Sequence, residues 1–452
     1  MRGVFSVLCS GFFIFSILVS SRICRASIQV FELTESEAIA KAKQSSESLK
    51  SADSDWQASQ EQAEASYSLL LPKLSFDASY RYVTQVPSIQ LPLPNAPPIP
   101  ISAHSNYSIG PTLSYTLWDS GFAKNRYYSH QKMAESRKEE QKNLSTQVVG
   151  SVKLAYTRVQ LGVEQLKMVK DSLNQADAQN KYIEDRFEAG TADRLDLLTS
   201  QREVLNYQLQ LKQQQADLAS ALKDLLALLS ETGVRDFSRP APYGYSPATV
   251  WLKLDSLEES LQTQTQGEPE VLEGESPQIK SQALLTESLE YGAKSQSASS
   301  YPQLQISART SLDYPNGPII ENINQNTLSA SLSFPLFEFN RNGHEVAEKE
   351  KEADAARHRK NQLQLDLSRD FWKAKEQLRS LREQQKDSEE SVRQSELLAK
   401  LNYDSYRNGR ITLVDVQAAN VRALQAKVDL ARIRAQILNQ VTQLKVISGK
   451  DD

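Results

Sequence analysis

The sequence is poorest in the residues that do chemistry. Of 452 residues only two are cysteine, Cys9 and Cys24, and four are histidine, His104, His130, His344 and His358. Both cysteines fall in an amino-terminal segment that reads as cleaved, which excludes a disulfide framework and a thiolate metal site from the mature chain. The histidines stand singly without metal-ligand spacing; two are expected in helices, on a solvated face. No glycine-rich phosphate loop and no nucleophile elbow occurs, so no catalytic residue, metal or cofactor is expected and the chain does not read as an enzyme. A basic surplus is missing as well: 52 Lys and Arg face 56 Asp and Glu, a net charge of −4. A nucleic-acid partner, which wants a basic face, is thereby excluded. Glycine is scarce at 16 residues and mean hydropathy is −0.50. A long polar chain with few loops is well served by long helices.

One apolar run stands out, from Val4 to Val19 in "MRGVFSVLCSGFFIFSILVSSRICRA". With Arg2 before it and the small-residue exit at Ala26, residues 1–26 read as a secretory signal peptide. An uncleaved anchor is the alternative, but the run is short and broken by serines against the ~20 residues a spanning helix needs. A lipid anchor on Cys24 is disfavoured by the bulky Ile23 before it. Removing the segment takes Arg2, Arg22 and Arg25 and no acid, so the charge becomes −7 (−4 − 3).

What the chain does have is itself, twice. "FEAGTADRLDLL" (187–198) returns as "YRNGRITLVDVQ" (406–417), with Gly190 and Gly409, and Asp196 and Asp415, 219 residues apart (409 − 190 = 415 − 196 = 219). The echo extends over two repeats, 27–240 and 241–452, which together make one integrated fold. Each opens on a short apolar stretch and a capping-box spacing, Thr34 with Glu37 and Asp255 with Glu258, expected to start a short helix. Helical segments then stop at Pro72 and Pro302. These prolines are 230 apart, so eleven extra residues (230 − 219) sit in the first, proline-rich hairpin loop "VPSIQLPLPNAPPIPIS"; the second loop carries "YPNGP".

After each proline the alternation is clean. Leu74, Phe76, Ala78, Tyr80 and Tyr82 oppose Ser75, Asp77, Ser79 and Arg81, which predicts strands at about 73–83 and 107–118, and again at about 303–313 and 327–337. Proline-free helical sequence then runs to Gly190 and to Gly409, some 65 residues or roughly 100 Å at 1.5 Å per residue. A return helix follows each glycine, 193–229 and 412–447, the second with a seam at Val414, Ala418, Val421, Leu424, Val428, Ala431, Ala435 and Leu438.

Strands apolar on one face and hydroxyl-rich on the other suit either a half-buried soluble sheet or a membrane barrel. Aromatic residues cluster at their ends: Tyr80, Tyr82, Tyr107, Trp118, Phe337 and Phe339, a candidate girdle at the lipid interface. In a membrane, four strands cannot close, since open edges leave amides unpaired and about eight strands is the practical minimum. Chains would have to pool strands, two giving eight and three giving twelve.

The duplication, "LLPKLSF" and "SYPQLQIS", "LSYTLWDSG" and "LSFPLFEFNRNG", and the paired reversal motifs resemble the TolC-type outer-membrane efflux proteins over essentially the whole mature chain. The resemblance implies a mainly α fold with a transmembrane β portion: a homotrimer with a shared twelve-stranded barrel continued by a periplasmic α-helical barrel of coiled-coil hairpins. It implies placement in the outer membrane of a diderm bacterium. It also implies an inner-membrane transporter and a periplasmic adaptor as partners, the chain being the exit duct of a tripartite efflux or type I secretion system. A secreted coiled-coil scaffold or adhesin is the competing reading, and a periplasmic adaptor, with a single helical hairpin, a third.

Gly190 and Gly409 would let the helices reverse through the left-handed conformation. Asp193 with Asp196, and Thr412 with Asp415, have capping-box spacing, and a carboxylate in the first turn suits the helix dipole. By resemblance, Gly190, Asp196 and Gly409 belong to tips where an adaptor docks, and Asp415, Thr412 and Arg410 to a periplasmic constriction where three Asp415 would form an acidic, cation-attracting ring. Two positions depart from the best-known pattern: Ala418 stands where a second aspartate is usual, and Ile411 where a latching arginine is.

Overall fold

The computed structural model describes residues 31–90, 92, 97–230, 252–265, 268–269, 276–317 and 319–450. The expected signal peptide, with both cysteines, lies outside the described residues. In chain order the elements are β1 (Phe31–Glu32), α1 (Glu35–Ser45), α2 (Glu47–Tyr67), β2 (Lys73–Tyr82), β3 (Ser88–Ile89), β4 (Ile99–Pro100), β5 (Ser105–Trp118), α3 (Phe122–Glu188) and α4 (Arg194–Leu228). They continue as β6 (Leu252–Lys253), α5 (Leu257–Thr265), α6 (Pro277–Ala298), β7 (Gln303–Tyr314), β8 (Ile323–Ser333), α7 (Arg341–Arg407) and α8 (Leu413–Ser448). Three histidines, not two, lie on helices, because α7 takes in both His344 and His358.

Helix starts follow local acceptors. Thr34 caps α1 as its spacing predicts, taking the Glu37 amide at 3.3 Å while its own amide donates to Glu37 Oε2 at 3.2 Å. The expected counterpart at Asp255 and Glu258 shifts by one residue: Ser256 accepts from the Glu259 amide at 3.1 Å and donates its own amide to that side chain at 2.9 Å. Asp255 is drawn away by the other half of the chain, accepting from the Glu35 amide at 3.4 Å. Tyr156 completes this joint, its hydroxyl donating to Leu33 O at 3.0 Å and accepting from the Asp255 amide at 3.3 Å. Beside it β1 and β6 pair in parallel, Phe31 opposite Leu252, stitching the chain's first strand to its middle.

The four long strands form one antiparallel sheet in the order β2-β5-β7-β8. Cross-strand pairs share a face, so Leu74, Leu113, Ala308 and Leu328 lie in one apolar row and Lys73, Ser114, Ser307 and Ser329 in a polar one. No described element covers the apolar face: Leu74 is 72 % exposed, Phe76 70 % and Leu328 82 %. The polar face is cross-linked by side chains, with Thr112 donating to Asp77 at 2.8 Å, Arg309 to Ser108 at 2.9 Å and Ser108 to Asp313 at 2.6 Å. A register shift between Thr116 and Trp118 sets Trp118 opposite Leu304, so the bulge turns the indole onto the apolar face against the strict alternation. The last strand occupies Ile323–Ser333 rather than 327–337. Pro335 has no amide to give the ladder, which ends pairing two residues before it. Phe337 and Phe339 therefore sit in the connector to α7, exposed and against one another at 4.5 Å between ring centroids.

The two longest helices, α3 and α7, are 67 residues each, so each reaches roughly 100 Å. Packing contacts set the order α2-α3-α6-α7 beneath the sheet and α4-α3-α8-α7 toward the far end. Small residues allow this close approach, as where Ser136 Oγ donates to Ser281 O at 2.8 Å and Ser129 Oγ to Ser288 O at 2.8 Å. The expected seam of α8 holds only in part. Ala431, Ala435 and Leu438 are buried, yet Val414 is 58 % and Val421 49 % exposed, and Leu413, Val416, Ala419 and Ala423 are buried instead. Near its start α8 packs against both Ile183 of α3 and Tyr406 of α7, so the buried arc rolls away from a single heptad line.

Candidate functional site

The two reversal motifs, 219 residues apart, meet at one end of the molecule. At each, the glycine takes the left-handed conformation, φ 71° at Gly190 and 72° at Gly409. Each closes the same paired bonds. Gly190 N donates to Phe187 O at 3.0 Å and Thr191 N to Arg186 O at 2.8 Å; Gly409 N donates to Tyr406 O at 2.8 Å and Arg410 N to Ser405 O at 2.9 Å. Those are the two bonds of a Schellman ending, which satisfies carbonyls that the helix leaves orphaned.

Beyond the glycines the copies diverge. Thr412 and Asp415 form the predicted capping box: Thr412 N donates to Asp415 Oδ2 at 3.1 Å, the hydroxyl does so at 2.7 Å, and the Asp415 amide returns to Thr412 Oγ1 at 3.4 Å. These donors hold the exposed Asp415 carboxyl below its ordinary value. The expected box at Asp193 and Asp196 does not form, since Asp193 makes no side-chain cap bond. Asp196 has a stronger offer: the Tyr406 hydroxyl of the other hairpin donates to its Oδ2 at 3.0 Å. Burial first, and then that bond, push Tyr406 up to about 12.

An apolar cluster of Ile183, Tyr406, Leu413 and Val416 locks the hairpins together, with Ile411 and Leu197 packed against it. Polar ties continue it: Ser200 Oγ donates to Asn180 Oδ1 at 2.8 Å, and Gln417 Nε2 to Thr199 O at 3.1 Å. Ile411, which stands where the best-known pattern has a latching arginine, thus joins by packing. Ala418 is exposed, and Arg410, also exposed, has no ion-pair partner among the described residues. Sequence reasoning missed Tyr406 and Ile183. An aromatic three residues before a helix-ending glycine is also present at Phe187, so only the fold tells the two apart.

The girdle candidates gather at the opposite end. Tyr80, Tyr107 and Tyr314 lie side by side across three strands, Tyr107 and Tyr314 stacked at 5.2 Å, while Trp118, Phe337 and Phe339 lie where the sheet passes into the helices. Between these two ends, the model of one protein family, "outer membrane efflux protein", matches residues 38–231 and then 269–450. The chain belongs to the outer membrane efflux protein family. No curated protein is similar enough to match. Solved structures share the fold: the CmeC outer membrane channel of Campylobacter jejuni at 15 % identity and TM-score 0.74, covering 92 % of this chain and 85 % of that one. The outer membrane protein VceC of Vibrio cholerae is similar at 15 % identity and TM-score 0.74, with 92 % and 97 % covered. The MtrE outer membrane channel of Neisseria gonorrhoeae, in its open state, follows at 14 % identity and 0.71, with 92 % and 89 % covered.

Membership makes the chain an outer-membrane efflux channel with a helical periplasmic extension, in a family of channels rather than enzymes. The scaffold or adhesin reading has no support. No described helix is long and apolar enough to cross a membrane.

Proposed function

We propose that three copies of this chain form the exit duct of a tripartite export system, each contributing its four strands to one twelve-stranded barrel and its helices to a tube below. The observation that carries this reading is a sheet with one largely apolar, exposed face, broken by Thr310, Asn324 and Asn326, and two edges, β2 and β8, that are unpaired among the described residues. Every neighbour pair in β2-β5-β7-β8 is antiparallel, so β2 and β8 run in opposite directions. Head-to-tail pairing of copies through these edges continues the alternation, satisfies the amides in hydrocarbon and closes a ring. The helical flanks also carry exposed apolar side chains: Leu195, Leu198, Leu205 and Leu209 on α4, and Leu365, Leu397 and Leu401 on α7. On this reading residues 27–240 and 241–452 are two structural repeats of one integrated fold.

The tips are the periplasmic end. Gly190, Asp196 and Gly409 shape the surface where a periplasmic adaptor docks to link the duct to an inner-membrane transporter. Asp415, Thr412 and Arg410 line the constriction, with three Asp415 carboxylates forming the acidic ring. Asp415→Asn separates ring charge from capping, because an amide oxygen still accepts the Thr412 amide. In planar bilayers the variant should conduct more and be blocked less by divalent cations than the parent. Unchanged block would leave Asp415 a capping residue alone. The sign with pH follows from its lowered carboxyl: the cap contributes above the ordinary carboxylate value and is lost as pH falls through the folded value, a dependence the variant should lack.

A further inference from the structure

Just below the sheet the helices carry a cluster that the efflux function leaves unused. Tyr67 of α2, Tyr127 and Tyr128 of α3 and Tyr291 of α6 form a continuous arc, with ring centroids at 5.3, 5.6 and 5.4 Å. Lys124 lies over Tyr128 at 5.8 Å and Lys294 over Tyr291 at 4.9 Å. Among the described residues neither ammonium pairs with a carboxylate. Deeper along the helices than Lys124 and Lys294 the charges are already matched: Lys132 bonds Glu135 at 3.0 Å and Glu287 at 3.2 Å, and Arg357 bonds Glu290 at 2.7 Å.

Chain handedness puts the arc on the outside. Val83 N bonds His104 O, so the odd residues of β2, the polar ones, turn their amides toward β5. In an L-chain running upward with its side chain toward the viewer, those amides point right; seen from the polar face, β5 therefore lies to the right of β2. With the apolar face on lipid, the order β2-β5-β7-β8 runs clockwise seen from outside the cell, and so do the attached α2, α3, α6 and α7. In the descending right-handed α3, Tyr127 faces α2 and Ser129 faces α6. Tyr128, about 100° from each, then projects outward. Arg126 falls on the opposite, inner face.

Depth agrees with this. Lys124 lies about 3 Å along the axis from the first residue of α3, Lys294 about 6 Å from the last of α6, and the tyrosines about 9 to 10 Å from those ends. The lysines therefore fall within the headgroup layer, which occupies about 5 to 8 Å on each side of the hydrocarbon, and Tyr128 and Tyr291 lie just beneath it. We propose that Lys124 and Lys294, backed by Tyr128 and Tyr291, form a docking site for anionic phospholipid headgroups of the periplasmic leaflet. The tyrosine rings support the lysines from beneath, and the lysines meet phosphate. The site continues the lipid-facing sheet and rests on that placement of it.

The test uses the full chain in nanodiscs of mixed phosphatidylglycerol and phosphatidylcholine, measuring by mass spectrometry which lipid stays bound after partial delipidation. The parent should retain phosphatidylglycerol preferentially. The double variant K124Q/K294Q should lose about fivefold of that preference per lysine, K124R/K294R should keep it, and R126Q should leave it unchanged. Equal retention by parent and K124Q/K294Q, or an equal loss in R126Q, overturns the site. Failure of the parent to enter the discs overturns the membrane placement of the sheet as well, whereas entry without preference overturns the headgroup site alone.

Discussion

The two reversals share a turn and differ in what holds it. Gly190 and Gly409 close identical bonds, but Tyr406 is 6 % exposed whereas its counterpart Phe187 is 38 % exposed (406 − 187 = 219). In the second hairpin, Asp415 is spent on its own helix start; in the first, Asp196 is bonded to the second hairpin. Local sequence dictates a helix reversal twice, and tertiary contact then makes one copy the anchor and the other the reader of it. The second tip is self-capped and carries the shared tyrosine, so it is the better-defined of the pair.

The largest expected break in that asymmetry is Tyr406→Ala, which empties the cluster around Ile183, Leu413 and Val416 and should cost about 3 kcal/mol. Phe187→Ala should cost less, about 1 kcal/mol, because more than a third of the residue is already in solvent. Hydrogen exchange at the tip amides distinguishes them, and equal protection loss would remove the asymmetry. Next comes Tyr406→Phe, which keeps the packing and loses only the bond to Asp196, about 1.5 kcal/mol for a hydrogen bond to a charged acceptor. A double-mutant cycle with Asp196→Ala should return a coupling of that order, and a coupling near zero would mean the bond does not tie the hairpins. Smallest is Thr412→Ala, about 1 kcal/mol for a lost cap, against a few tenths for Asp193→Ala, read by thermal unfolding.

Much of this was legible in the chain. The 219-residue echo, Pro72 and Pro302, and Gly190 and Gly409 located the strands and helix ends because each acts through its own backbone. What was not legible depended on a distant partner. Asp255 and Asp193 have capping spacing, yet Asp255 serves the Glu35 amide and Asp193 makes no side-chain bond. The end of the last strand was misjudged because alternation through Phe334 and Leu336 outweighed the missing amide of Pro335. Val414 and Val421 read as seam, but α8 carries apolar residues on more than one face, and only packing against α3 and α7 shows which face the protomer buries. Trp118 reaches the apolar face through a bulge that no periodicity announces.

The central claim is that the free edges β2 and β8 close against other copies to make twelve strands. The mass of the detergent-solubilised protein, measured by light scattering with the detergent contribution subtracted, tests it most directly. Three chains of at most 50.7 kDa each are predicted; a single chain, or two giving eight strands, would contradict the account.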